Sequence, residues 1–140
     1  MPPALTPELA LAYVRELSAD VHAVVALSAT GERLAGDAAV AAAARALIDA
    51  APDAAELEVV TAGGVACAVR GTRHALVAAC GPFAIGGIVR QDLRTAIGAL
   101  EPGAPPPAEP PPATASEPPS EPLETLAEAL FTAAQRAPEA

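Results

Sequence analysis

The 140 residues include eight arginines, no lysine and seventeen acids, for a net charge of −9. That balance cannot release counterions along a nucleic-acid backbone, and anionic lipid repels it, so the composition argues against nucleic acid and membrane surfaces as partners. Alanine makes up roughly a quarter of the chain, and eleven of the sixteen prolines lie beyond residue 100. The folded domain is therefore expected over 1–100, a Pro-rich linker over 101–120 and a short helix over 121–137.

Thr6-Pro7-Glu8 is a helix start, with a hydroxyl cap, a proline where its missing N–H costs nothing and an acid at the positive end of the dipole. Leu9, Tyr13 and Leu17 then recur at four-residue spacing with Val14 beside them, predicting a first helix over 6–18. VHAVVALS (21–28) is apolar on both alternating faces, with Val21, Ala23, Val25 and Leu27 on one and His22, Val24 and Ala26 on the other. This predicts a strand covered on both sides. A turn at 29–32 leads into a short returning strand over 33–36. Asp37 caps a second helix that ends before Pro52.

Glu56-Leu57-Glu58-Val59 alternates polar and apolar, as an edge strand or one with a wet face does. Glycines 63 and 64 turn the chain into VACAVR (65–70), and 71–73 turn it again into HALVAAC (74–80), completing a meander. Ile85, Val89, Leu93, Ala96, Ile97 and Leu100 mark a third helix over 84–100. The expected fold is α+β: an antiparallel five-stranded sheet with helices on both faces, in the order helix-strand-strand-helix-strand-strand-strand-helix.

The stretch CGPFAIGG (80–87) raises the question of a phosphate cradle, but a Walker-type loop needs a lysine, and there is none. Gly86 and Gly87 either expose amides to an anion or let the third helix approach the sheet, and the second reading is preferred. His74 and Cys80 lie about 20 Å apart along one strand, too far for direct proton transfer. His22, a histidine within an apolar strand, is expected to be packed. A Cys67–Cys80 disulfide is expected to fail because the turn would leave the two about 10 Å or more apart along the ladder. Two cysteines and two scattered histidines do not give paired zinc-ligand spacings. Arg90 and Arg94 share a helix face, which is ordinarily solvated and otherwise could reach a partner's phosphate. No catalytic, cofactor-binding or metal residue is expected, and no cofactor.

The second helix is more informative, because over 38–51 only Arg45 and Asp49 are polar. Leu47 and Ile48, 100° apart, do not both centre on one buried stripe, so the helix is expected to be covered on its outside, preferably by a second copy. The alternative is an alanine surface facing water.

The element order, the VHAVVALSATGERLAG hairpin with Gly31, the alanine-rich second helix, and HALVAACGPFAIGGIVRQDLRTAIGAL with Gly86-Gly87 before an arginine-bearing helix resemble the roadblock-type (dynein light chain roadblock) domain, bacterial branch, over about 5–100. The resemblance implies a non-enzymatic homodimer or heterodimer whose second helices pack together and whose middle strands join two sheets. It also implies a scaffold or activator for small Ras-like GTPases. Carried onto this chain, the dimer surface would be Val40, Ala41, Ala44, Arg45 and Ile48 with Leu57 and Val59. A small-ligand sensor with an apolar pocket is the alternative, and a cysteine-dependent enzyme a third reading.

The linker composition cannot bury a core and predicts a disordered, extended spacer of polyproline type. Beyond it, Leu123, Leu126, Ala127, Leu130 and Ala134 follow helical spacing, with Phe131 beside them and Glu121, Glu124 and Glu128 mostly opposite. This helix is read as a docking segment, with Leu123, Leu126, Leu130 and Phe131 meeting either a partner or the chain's own dimer. The start, MPPALTPEL, has no basic region followed by an apolar core, and no apolar run approaches ~20 residues, so a cytoplasmic protein is expected.

Overall fold

The computed structural model describes residues 6–101 and 121–136. The spacer expected over 101–120 lies outside the described residues, apart from Glu101. The helices are α1 (Pro7–Leu17), α2 (Ala38–Asp49), α3 (Gly86–Leu100) and α4 (Glu121–Arg136). The strands are β1 (Val21–Ser28), β2 (Arg33–Ala35), β3 (Glu56–Thr61), β4 (Gly64–Arg70) and β5 (His74–Cys80). The strands form one antiparallel sheet in the order β2-β1-β5-β4-β3, with α1 and α3 on one face and α2 and α4 on the other.

Period-two alternation sorts the strand residues between the faces. Val65, Cys67 and Val69 of β4 and Leu76, Ala78 and Cys80 of β5 join the α1/α3 core. Their neighbours Ala66, Ala68, Ala75, Val77 and Ala79 turn to the α2/α4 side. The α2/α4 side is thus paved largely with alanine, which leaves depth for larger side chains from above.

Three sequence expectations about facing are corrected. The β1–β5 register slips between Val21 and Ala23. The slip turns His22 out to solvent and moves Val21 to the α1/α3 core beside Val24 and Ala26, away from Ala23. A bulge of this kind breaks the alternation that sequence reading assumes. In α1 the helix forms as expected, with Thr6 Oγ1 accepting from Leu9 N, but Ala10, Leu11 and Val14 are the buried residues. Leu9, Tyr13 and Leu17 stay partly exposed. Ile85, placed with the α3 stripe by its spacing, precedes the first helical turn and is also exposed.

Polar groups fix the chain reversals. Asp37 Oδ2 accepts from Ala39 N and Val40 N at the start of α2. The other end of α2 has no basic residue of its own, and Arg70 from β4 supplies the charge, donating to the carbonyls of Ile48, Ala51 and Pro52. Gly36, just before α2, has φ 102°, and a Cβ there would meet Val25 and the Val24 carbonyl. Glu101 closes α3: its carboxylate accepts from Thr72 N at 2.8 Å, Arg73 N at 2.6 Å and pairs with His74 Nδ1 at 2.8 Å, while the residue is only 3% exposed. Burial alone would raise its pKa, but the His74 ring and the two amides outweigh burial and hold the carboxyl below its ordinary value.

Gly36→Ala is expected to cost about 1–3 kcal/mol in denaturant unfolding, from left-handed strain and the clash with β1. A carboxyl with a depressed folded-state pKa contributes stability above its unfolded pKa and loses it as pH falls through the folded value. Glu101→Gln should therefore destabilise by about 1–2 kcal/mol at neutral pH, and the gap from wild type should narrow as pH falls below about 4. A gap independent of pH would contradict this assignment.

Candidate interaction surface

The residues expected to cover a partner copy are mostly buried within the chain itself. Val40, Ala41, Ala44, Ile48 and Val59 belong to the α2/α4 core, and Leu57 packs partly against it. Arg45 is exposed; it lies over Gly31 of the β1–β2 turn and 3.6 Å from Asp49. Leu47 and Ile48 are both buried because α2 has two covered flanks, one on the sheet and one against α4. The second cover inferred from this pair is thus present within one chain. The outer row of α2, with Ala39, Ala42, Arg45 and Ala46, faces solvent.

α4 lies along α2 and over β3, β4 and β5. Ala127, Leu130 and Phe131 are buried, and Leu123 and Leu126 are half-buried at its border. The docking stripe read from the sequence is therefore the docked stripe, and the surface it meets is the chain's own sheet. Phe131 settles on the β3–β4 turn, where Gly63 and Gly64 leave room for its ring and Glu128 sits beside Gly63. Of the three aromatic residues, Phe131 alone is buried, whereas Phe83 is 89% exposed.

β3 is the edge of the sheet on this side and, among the described residues, pairs only with β4. Its polar row faces α3. Arg90 Nε donates to Glu58 Oε1 at 3.0 Å and Nη1 to Glu56 Oε1 at 3.2 Å. Arg94 Nε lies 2.8 Å from Glu56 Oε2 without an aligned N–H, so that contact is coulombic and not a directed hydrogen bond. The arginine pair is thus neither a solvated face nor a free finger: it clamps α3 to the edge strand, and the Glu56 side chain is almost wholly covered. This link escaped the sequence reading because the partners lie more than thirty residues apart.

The glycine question is also answered by this edge. Gly86 is buried where the Glu58 carboxylate lies, so a Cβ there would strike it, and the Gly86 carbonyl meets Cys67 Sγ at 3.8 Å. The glycine lets α3 approach the sheet, and the chain's own carboxylate stands at the helix start. Cys67 sits opposite Ala78 and Cys80 opposite Val65, which makes the cysteines diagonal neighbours on one face. They are therefore closer than the expected spacing, because the β4–β5 turn sets Arg70 opposite Ala75. Both are free and buried. Burial pushes both thiols up, Cys80 to about 12 with Asp20 adding to it and Cys67 further still, so neither is a thiolate nucleophile at neutral pH.

A cleft of about 200 Å³ opens at the sheet end between Ser28, Thr30, Asp49, Arg70 and His74. It is polar, unlike the apolar pocket a sensor reading calls for, and Arg70 and His74 are already engaged with α2 and Glu101. No helix among the described residues is long and apolar enough to cross a membrane.

No family profile matches the chain, and no curated protein matches it. Among solved structures it is similar to a Roadblock/LC7 domain from Streptomyces avermitilis, with a TM-score of 0.53 and 18% identity over 64% of this chain and 92% of that one. A second Roadblock/LC7 domain structure from the same organism aligns with a TM-score of 0.61 and 13% identity over 70% of this chain and 97% of that one. Each alignment uses nearly the whole of the other domain, so the likeness is to a complete domain. Together with the strand order and the helix placement, these matches show that the chain carries the roadblock/LC7-type fold.

Proposed function

We propose that this chain is a non-enzymatic scaffold or regulator that self-associates through β3 and α2 and acts on a small Ras-like GTPase. The observation that supports self-association is the open β3 edge. Edge strands are ordinarily guarded by charge, and β3 carries two acids that would serve. Here Arg90 and Arg94 neutralise both, and the opposite row, Leu57 and Val59, is apolar. An antiparallel pair of such edges, related by a twofold axis normal to the sheet, continues the sheet and keeps both α2 helices on one face. The buried, neutral thiols favour a binding role over cysteine chemistry. The GTPase partner follows from the roadblock-type fold and the resemblance described above.

Val60 is exposed on β3 and contributes nothing to the core. Val60→Lys should weaken self-association in sedimentation equilibrium by about tenfold or more while leaving the unfolding midpoint within a few degrees. A chain that stays monomeric at several hundred micromolar, both as wild type and with α4 released from the sheet, would refute the dimer. For the partner, Ras-like GTPases encoded in the same genome should bind the full chain with micromolar affinity or better and discriminate GTP from GDP states. The absence of binding by all of them would remove the GTPase assignment.

A further inference from the structure

The α2/β3 face that the dimer reading requires is occupied by α4. The helix covers the sheet between α2 and the open edge, where it seats Leu130 and Phe131. A copy that adds its β3 to this edge brings its own α2 to the same side of the sheet, toward the ground α4 holds. The covered state therefore disfavours pairing by bulk.

α4 is suited to leave. A sixteen-residue helix is marginal alone, and its burial is confined to one stripe. Nineteen residues separate Glu101 from Glu121, a contour of up to roughly 60 Å, so the helix can vacate the face without unfolding the sheet. Val59, Ala66, Ala68 and the Ile48 flank of α2 would then be uncovered and, being apolar, would need a new cover.

We propose that α4 is a removable cover whose place is taken by a second copy of the chain, so that its docking sets the monomer–dimer balance. This rests on the self-association reading above. The two are separated by sedimentation equilibrium on the full chain and on full-length Leu130→Glu and Phe131→Ala, each with and without Val60→Lys. Leu130→Glu should tighten self-association by roughly tenfold or more, and Phe131→Ala by less. Val60→Lys should cancel the gain, and excess synthetic peptide 121–136 should return the released variants toward monomer. If Leu130→Glu misfolds, Phe131→Ala carries the comparison, because it removes only the ring over the Gly63–Gly64 turn. Equal self-association in wild type and variants overturns the gating and leaves the dimer standing. Tighter association that survives Val60→Lys also overturns it, since assembly would then run through the freed α4 stripe. No association in any form removes the dimer reading and the gating with it.

Discussion

The α2 side of the sheet must be covered by more than α2. One helix spans about 10 Å, whereas five strands at close to 4.8 Å spacing make a face about twice as wide. On this side the strands present mainly alanine and valine, and the charge of Arg70 is taken up by the end of α2, so nothing makes the uncovered half tolerable in water. A second cover is therefore a physical requirement of the sheet, and α4 supplies it. The alanine floor explains why the covering helix brings the only buried aromatic ring: small residues below leave volume that a phenylalanine fills, at a gain of about 1.5–3 kcal/mol for such a side chain.

The other face meets the same requirement differently. There α1 and α3 lie side by side over the larger strand residues, and no borrowed element is needed. Polar groups then tie elements that are distant in sequence. Arg70 holds the end of α2 to β4, Glu101 holds the end of α3 to the β4–β5 turn, and Arg90 with Arg94 holds the body of α3 to β3. The last of these removes net charge from an edge strand and leaves its outer hydrogen-bonding groups unguarded. Burial of polar side chains thus shapes the surface as well as the interior.

For function, the thiols lie inside the core and the strongest charges are paired with one another. What remains on the outside is surface: the β3 edge, the alanine row of α2, the Leu9-Tyr13-Leu17 row of α1 and the apolar residues around the start of α3. The proposed assembly draws on the first two of these surfaces. In that assembly, α4 would make the α2/β3 contact conditional on whether it stays docked.

Local chemistry in the sequence determined the elements and their order. The Thr6 and Asp37 caps, the glycine turns at 63–64 and 71–73, the alternation in β4 and β5 and the helical spacing of Leu123 to Ala134 all act over a few residues, and all appear where the spacing placed them. The pairing of Leu47 with Ile48 likewise pointed to a second cover for α2, expected from a second copy. Only the tertiary structure decided what covers the second flank, which row of α1 faces in, that a bulge at His22 moves Val21 across the sheet, and that Arg90 and Arg94 answer Glu56 and Glu58. Each of these depends on contacts between residues far apart in the chain, and periodicity carries no information about which distant surface arrives to complete a stripe.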